Sequence, residues 1–171
     1  ILQGKQTQKV LAFYKPVGVT CTERDPHAEK KIMDMIRYPE RLTYAGRLDK
    51  DSEGLILLTN DGDLINAMMR GANRHEKEYI VKTDREITPD FLEKMAKGIY
   101  LKDLDITTRE CEIEQIGKFT FRIVLTQGVN RQIRRMCEAC GYRVKALKRI
   151  RIMNILLGDL KPGKWREVTG E

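Results

Sequence analysis

Nine residues bracketed by glycine, Gly46-Arg47-Leu48-Asp49-Lys50-Asp51-Ser52-Glu53-Gly54, run straight into Leu55-Ile56-Leu57-Leu58-Thr59 and then Asn60-Asp61-Gly62. An apolar run without polar alternation persists only where both faces of a strand are covered, so 55–59 is expected to be an interior strand. The polar stretch before it must be the turn that delivers the chain into that strand. It holds Asp49 between glycine hinges, and a carboxylate in a short turn on a rigid strand is how a scaffold fixes a reactive group at a cleft. Asp49 is therefore the first candidate for chemistry.

Short strands and short helices alternate along the rest of the chain. Residues 10–14 form an expected buried strand that Lys15-Pro16-Val17-Gly18 stops, because proline and glycine force a turn. Helices are expected over 29–37, from Asp61 as N-cap to Gly71, and from Thr88-Pro89 to Gly98 with Phe91, Leu92 and Met95 inward. Strands are expected at 78–83, 107–116 and 119–126, the last two as a hairpin turning at Gly117, with Phe119, Phe121, Ile123 and Leu125 alternating along its second strand. A helix over 130–140, a basic strand over 143–152 and a strand over 165–169 complete the pattern. Strands outnumber helices and several adjoin without a crossover helix. The expected class is α+β, a mixed, largely antiparallel central sheet flanked by helices with an active-site cleft.

The 171 residues suffice for one well-formed core, and they divide into a polar linker remnant, 1–9, and one domain, 10–171. No apolar stretch approaches the roughly 20 residues that span a bilayer. The opening residues lack the layout of a signal peptide, so a cytoplasmic protein with no membrane partner is expected. Four cysteines are too few and scattered for a disulfide scaffold. Cys137 and Cys140 have the spacing of a metal or redox pair but no second pair or nearby histidines, and both fall on the apolar stripe of a predicted helix; they read as small buried hydrophobes. His27 and His75 are too separated for a metal site, and none is expected.

The formal charge of +7 matters less than its placement: from Arg131 to Arg151 eight Lys or Arg residues face a single acid, Glu138. Such an excess is the footprint of a phosphate-binding surface. At 100° per residue, Ile133, Met136, Cys137 and Cys140 make one apolar stripe, Arg131 and Arg135 lie on the far side, and Arg134 sits at the boundary, where a half-buried guanidinium can partner a carboxylate. In the following strand, alternation puts Val144, Ala146, Ile150 and Ile152 on one face and Arg143, Lys145, Arg149 and Arg151 on the other, with Leu147 alone among the cations. That leucine is either an ordinary exposed hydrophobe or a rest for a nucleobase.

Two other readings compete for the Asp49 segment. Asp49, Asp51, Glu53 and Gly54 match positions of a calcium loop, but the final bidentate glutamate is replaced by Asn60 and the loop runs into a strand. A non-catalytic RNA-binding domain explains the basic segment, with Asp49 only capping a turn. It leaves the glycine-framed carboxylate without a purpose.

Five motifs in order resemble the RNA pseudouridine synthases, specifically the family that modifies ribosomal RNA and includes the small-subunit enzyme A and the large-subunit enzymes B, E and F: Lys15-Pro16-Val17-Gly18-Val19, Gly46-Arg47-Leu48-Asp49, Lys77-Glu78-Tyr79, Asn130-Arg131-Gln132-Ile133-Arg134-Arg135-Met136 and Leu147-Lys148-Arg149. Asn60-Asp61-Gly62-Asp63 and His75-Glu76-Lys77-Glu78-Tyr79, with 130–137, look most like the large-subunit synthase F group. The resemblance implies isomerisation of a uridine in RNA, most simply 23S ribosomal RNA, to pseudouridine through a flipped-out base, by a monomer that needs no cofactor. Whether a tRNA is also modified stays open. Members commonly carry an S4-type RNA-binding domain ahead of the catalytic domain, and nothing in this chain corresponds to it. By resemblance Asp49 is the essential carboxylate, as nucleophile or base, Arg134 pairs with it, Tyr79 stacks on uracil and helps remove the C5 proton, and Leu147 presses on the base from the other side. Arg47 assists extrusion or holds phosphate; Arg131, Arg135, Arg143, Lys145, Arg149 and Arg151 contact RNA; and Lys15, Pro16, Gly46 and Leu48 support the site.

Overall fold

The computed structural model describes residues 9–19, 42–63, 65 and 75–168. The helix expected over 29–37 and most of the one expected after Asp61 lie outside them. Along the described chain run β1 (Val10–Lys15), β2 (Thr43–Ala45), β3 (Glu53–Thr59), β4 (Lys77–Thr83), α1 (Pro89–Lys97), β5 (Tyr100–Leu101), β6 (Ile106–Thr107), β7 (Glu112–Gly117), β8 (Thr120–Leu125), α2 (Gln132–Ala139), β9 (Val144–Ile152), β10 (Ile155–Leu156) and β11 (Trp165–Glu167). They belong to two compact units, one formed by Ile1–Arg70 with Leu157–Glu171 and the other by Gly71–Leu156.

In the first unit β1 pairs antiparallel with both β3 and β11, and β2 pairs antiparallel with β3. The register Leu11↔Leu58, Phe13↔Ile56 and Tyr44↔Leu58 brings these side chains to one face, where Val19 and Leu42 complete the core and Leu48 packs against it. Leu55 and Leu57 point to the other face and are equally buried at 0% exposure. Covering both faces is what the unalternated run required. After β3, the Asp61 carboxylate accepts from the Asp63 amide at 3.0 Å, the N-cap contact expected there.

The second unit is an antiparallel sheet in the order β9, β4, β8, β7, with β10 folded back on β9. One face carries Val81, Phe121, Ile123, Leu125 and Leu147, which pack with Phe91 and Met95 of α1 and Ile133, Met136 and Cys137 of α2. Helix α1 follows its sequence signals closely. The Thr88 hydroxyl accepts from the Phe91 amide at 3.1 Å, proline opens the first turn, and Gly98 stops the helix at φ 106°. A Cβ at Gly98 would lie 2.3 Å from the Thr108 carbonyl oxygen, so only glycine fits. Antiparallel pairing within each unit, with α1 and α2 packed on one face of the second unit's sheet, makes the fold α+β with a largely antiparallel sheet, as expected.

Two expectations need correction. The strand expected over 107–116 is two pieces, because the Thr108 hydroxyl accepts from the Ile99 amide at 2.8 Å and the Cys111 amide donates to the Ala96 carbonyl at 2.9 Å, pulling 108–111 out of the sheet. The hairpin turns at Lys118 and Phe119, leaving Phe119 38% exposed in the turn rather than inward with Phe121, Ile123 and Leu125.

Phe91 is edge-on to Phe121 at 5.5 Å between centroids and tilted on Tyr142 at 4.1 Å. Phe91→Ala is expected to destabilise the protein by about 3–5 kcal/mol in denaturant unfolding, and Phe119→Ala by under about 0.5 kcal/mol. Equal losses in the two variants would contradict this placement.

Candidate active site

The Asp49 segment is built into the first unit from its backbone outward. Gly46 leaves β2 at φ 77°, a left-handed conformation that favours glycine. Leu48 turns into the core beside Ile56 and Leu58, while Arg47 stays exposed with its guanidinium 5.8 Å from the centre of the Tyr44 ring. The Ser52 amide donates to the Asp49 carbonyl at 3.0 Å, which makes Asp49 the first residue of a β-turn, a position aspartate favours. Asp49 itself is half-buried.

Beneath this turn sits Lys15, at the end of β1 and 0% exposed. Its ammonium donates to the Ser52 carbonyl at 2.7 Å, the Pro16 carbonyl at 2.8 Å and the Lys50 carbonyl at 3.3 Å. Carbonyl acceptors at these distances are how a buried ammonium is kept at tolerable cost. The Gly18 amide adds a second bond to the Lys50 carbonyl at 2.8 Å. The turn that follows Asp49 is thereby fastened to β1 on one side and to the 16–18 loop on the other. Next to Lys15, the Tyr14 hydroxyl donates to the Glu53 carboxylate, and burial together with that carboxylate pushes the phenol up from its ordinary value.

The other named groups lie in the second unit. Tyr79 sits on β4 opposite Ile123 of β8 and Arg149 of β9, and it packs against the core that contains Leu147. Leu147 faces Val81 one pair along and is only 6% exposed. On α2, Ile133, Met136 and Cys137 are buried, Arg134 is half-buried at the boundary, and Arg131 is exposed, so the helical reading of this segment holds. Burial pushes the Cys137 and Cys140 thiols up, away from the thiolate that metal or redox chemistry needs.

The strict face assignment along β9 does not hold. Its register with β4 shifts between Glu78 and Tyr79 and again between Lys82 and Thr83, so Val144, Leu147 and Arg149 face inward with Tyr79 and Val81 while Ala146 is exposed. Arg149 is 2% exposed. Arg151 falls on the opposite face, donating to Glu78 at 2.8 Å and Glu76 at 3.0 Å. Arg135 is held by the Asn130 carbonyl at 2.9 Å and lies 4.0 Å from Asp103. Arg47, Arg131, Arg143 and Lys145 are the exposed members of the expected RNA-contact set. Arg131 also precedes α2 in a left-handed conformation, φ 51°, which is unusual for a residue other than glycine.

Sequence reasoning missed Gln132, which is 4% exposed with its amide nitrogen 3.5 Å from the Gln127 side-chain oxygen and 3.6 Å from the Met136 sulfur. The signal was present, since Gln132 lies one helical turn before Met136 and so on the apolar stripe.

Residues 9–139 match the family model described as RNA pseudouridylate synthase, and the chain belongs to that family. It is 46% identical over 162 residues to the dual-specificity RNA pseudouridine synthase RluF of Escherichia coli strain K12, an alignment covering 95% of this chain and 55% of the relative. It is 35% identical over 169 residues to the ribosomal large subunit pseudouridine synthase B of Vibrio cholerae, covering 94% and 51% of the two chains. The chain thus spans about half the length of these curated relatives. A crystal structure of a pseudouridylate synthase superposes with a TM-score of 0.89 at 27% identity, covering 96% of this chain and 72% of that one. An H/ACA ribonucleoprotein bound to a substrate RNA containing 2′-deoxyuridine shares the fold, with a TM-score of 0.56 at 19% identity over 84% of this chain and 47% of that one.

Lys15→Met removes the charge and takes the ammonium donor away from the Ser52 and Lys50 carbonyls of the Asp49 turn. It is expected to cost about 3–5 kcal/mol of stability, and amides of 46–52 should exchange faster with deuterium than those of β8. Unchanged exchange at 46–52 in the folded variant would show that the clamp is idle.

Proposed function

We propose that this chain is the catalytic part of an RNA pseudouridine synthase that isomerises a specific uridine, most simply in 23S ribosomal RNA, to pseudouridine. The observation that carries this reading is the mount of Asp49, a carboxylate on a turn fastened by a fully buried lysine, in a chain of this family. A structural turn aspartate has no need of such a mount.

Isomerisation breaks the bond from the ribose to N1 of uracil, turns the base and rejoins it through C5; C5 gives up its proton and N1 takes one up. Substrate and product have the same atoms and oxidation state, so the chemistry asks for no redox partner. A stacked base is out of reach, and the uridine has to be flipped into the site. In this reading Asp49 attacks the sugar or takes its 2′ proton, and Tyr79 stacks on the uracil and assists removal of the C5 proton. Arg134 supplies the cation that the carboxylate chemistry needs. Leu147 shares the face of Tyr79 but is 6% exposed, so its part is to back the base site with apolar surface. Arg47, Arg131, Arg143 and Lys145 contact phosphates; Arg135 belongs to the same helix surface, whereas the burial of Arg149 and the ion pairs of Arg151 give them other work. The 46%-identical relative is named a dual-specificity RNA enzyme, and tRNA is the second RNA we propose to test.

Asp49→Asn is expected to lower pseudouridine formation on ribosomal RNA by about 10³-fold or more while RNA affinity stays within roughly twofold. A variant that still converts uridine at the wild-type rate would overturn the assignment. Arg143→Ala and Lys145→Ala should each reduce the slope of log affinity against log salt by about one, and Arg151→Ala should leave that slope unchanged. A salt slope that drops only in Arg151→Ala would reverse this division of the cations.

A further inference from the structure

Lys77 opens β4, two residues before Tyr79, so the two side chains share one face of the strand. It pairs with Leu125 of β8 and Ile152 of β9, both buried apolar residues, and is itself half-buried. Arg149, 2% exposed, stands opposite Tyr79 on the same face. The acids on either side of Lys77 in sequence are committed elsewhere: Glu78 to Arg151 at 2.8 Å and Arg122 at 3.4 Å, and Glu76 to Arg151 at 3.0 Å. The Lys77 ammonium has no hydrogen bond or ion pair among the described residues. Burial and the charge of Arg149 both push its ammonium down from the ordinary lysine value, and no carboxylate works against them.

A half-buried ammonium facing another cation over apolar floor is unfavourable in the free protein and favourable only once an anion arrives. From the RNA reading proposed above, on which this step rests, we infer that Lys77 binds a backbone phosphate of the RNA, that of the nucleotide whose base stacks on Tyr79 or of its immediate neighbour. The spacing fits, since two residues along a strand span about 7 Å, which is one nucleotide's reach from base to phosphate. Lys77 makes the contact, and the buried Arg149 adds its field from beneath. Tyr79 and Lys77 then hold the RNA at one step of its chain, ring against base and ammonium against phosphate, independently of the surface cations on α2 and at the start of β9.

The test compares wild type, Lys77→Met and Lys77→Arg, with thermal melting confirming that each is folded. Binding is measured by fluorescence anisotropy on single-stranded oligouridylate, with the all-phosphate strand set against strands carrying one neutral methylphosphonate at successive positions. Lys77→Met is expected to bind about fivefold to tenfold more weakly, with the salt slope reduced by about one, and Lys77→Arg to recover most of the loss. One methylphosphonate position should weaken wild type but not Lys77→Met. On ribosomal RNA the loss should appear in KM more than in kcat. Equal binding by wild type and folded Lys77→Met, or a methylphosphonate penalty that is the same in both, overturns the inference. Because binding is read without turnover, a wild type that binds oligouridylate through Lys77 but forms no pseudouridine would sink the proposed reaction and leave this site standing.

Discussion

The buried Lys15 ammonium is the contact on which the rest of the candidate site depends. Moving a charge out of water costs several kcal/mol even after relaxation, and that cost is met here by carbonyl dipoles drawn from two places in the chain, the end of β1 and the turn after Asp49. The arrangement works in both directions. Carbonyls at 50 and 52 cannot move away without stranding a buried charge, and the lysine cannot reach them unless β1 and β3 are in register, Lys15 opposite Gly54. Sheet formation and placement of the carboxylate are therefore one event. The proline at 16 suits this use, since it cannot donate and its carbonyl serves the ammonium.

The second unit handles charge in a different way. On the face of its sheet away from the helices, Arg122 of β8 lies 2.8 Å from Glu112 and 3.8 Å from Glu114 of β7 and 3.4 Å from Glu78 of β4, while Arg151 of β9 completes the row through Glu78 and Glu76. Four strands are laced by alternating charges, cross-strand neighbours whose individual contributions are modest. Their larger effect is on register, since a one-residue slip would carry every one of these groups to the helix-packed face. Arg122 and Arg151 hold cross-strand carboxylates in this row, and for Arg151 this holds despite its place in a basic stretch of sequence.

Elements with signals of their own were legible from sequence. The unalternated 55–58 run declared a strand covered on both sides, Thr88-Pro89 and Gly98 declared both ends of α1, and the stripe of Ile133, Met136 and Cys137 declared the buried side of α2. Asp49 was legible as a turn carboxylate because glycine and an apolar strand frame it. What holds that turn was only half visible: the lysine–proline motif marked a support, but the fate of the ammonium is a tertiary fact, dependent on carbonyls 35 and 37 residues away. The break at 108–111 was hidden for the same reason. Thr107 and Thr108 suit a strand by propensity, and tertiary bonds to Ile99 override them.

The register shifts in β9 explain why strict alternation misassigned the faces of the basic strand. With unbroken pairing, Arg149 and Arg151 would share one face, as alternation says. The shift between Glu78 and Tyr79 places two partners of β4, Glu78 and Tyr79, opposite Arg151 and Arg149, with Ile150 left between them. A bulge of this kind re-aims the residues beside it. Arg149 then stays on the face of Tyr79 and Arg151 moves to the face of Glu78. One extra residue in the strand thus divides two neighbouring cations between the candidate base site and the scaffold, and it lets the motif Lys77-Glu78-Tyr79 work on both faces at once. Glu78 locks the sheet from outside while the residues flanking it keep a cation and an aromatic ring side by side within.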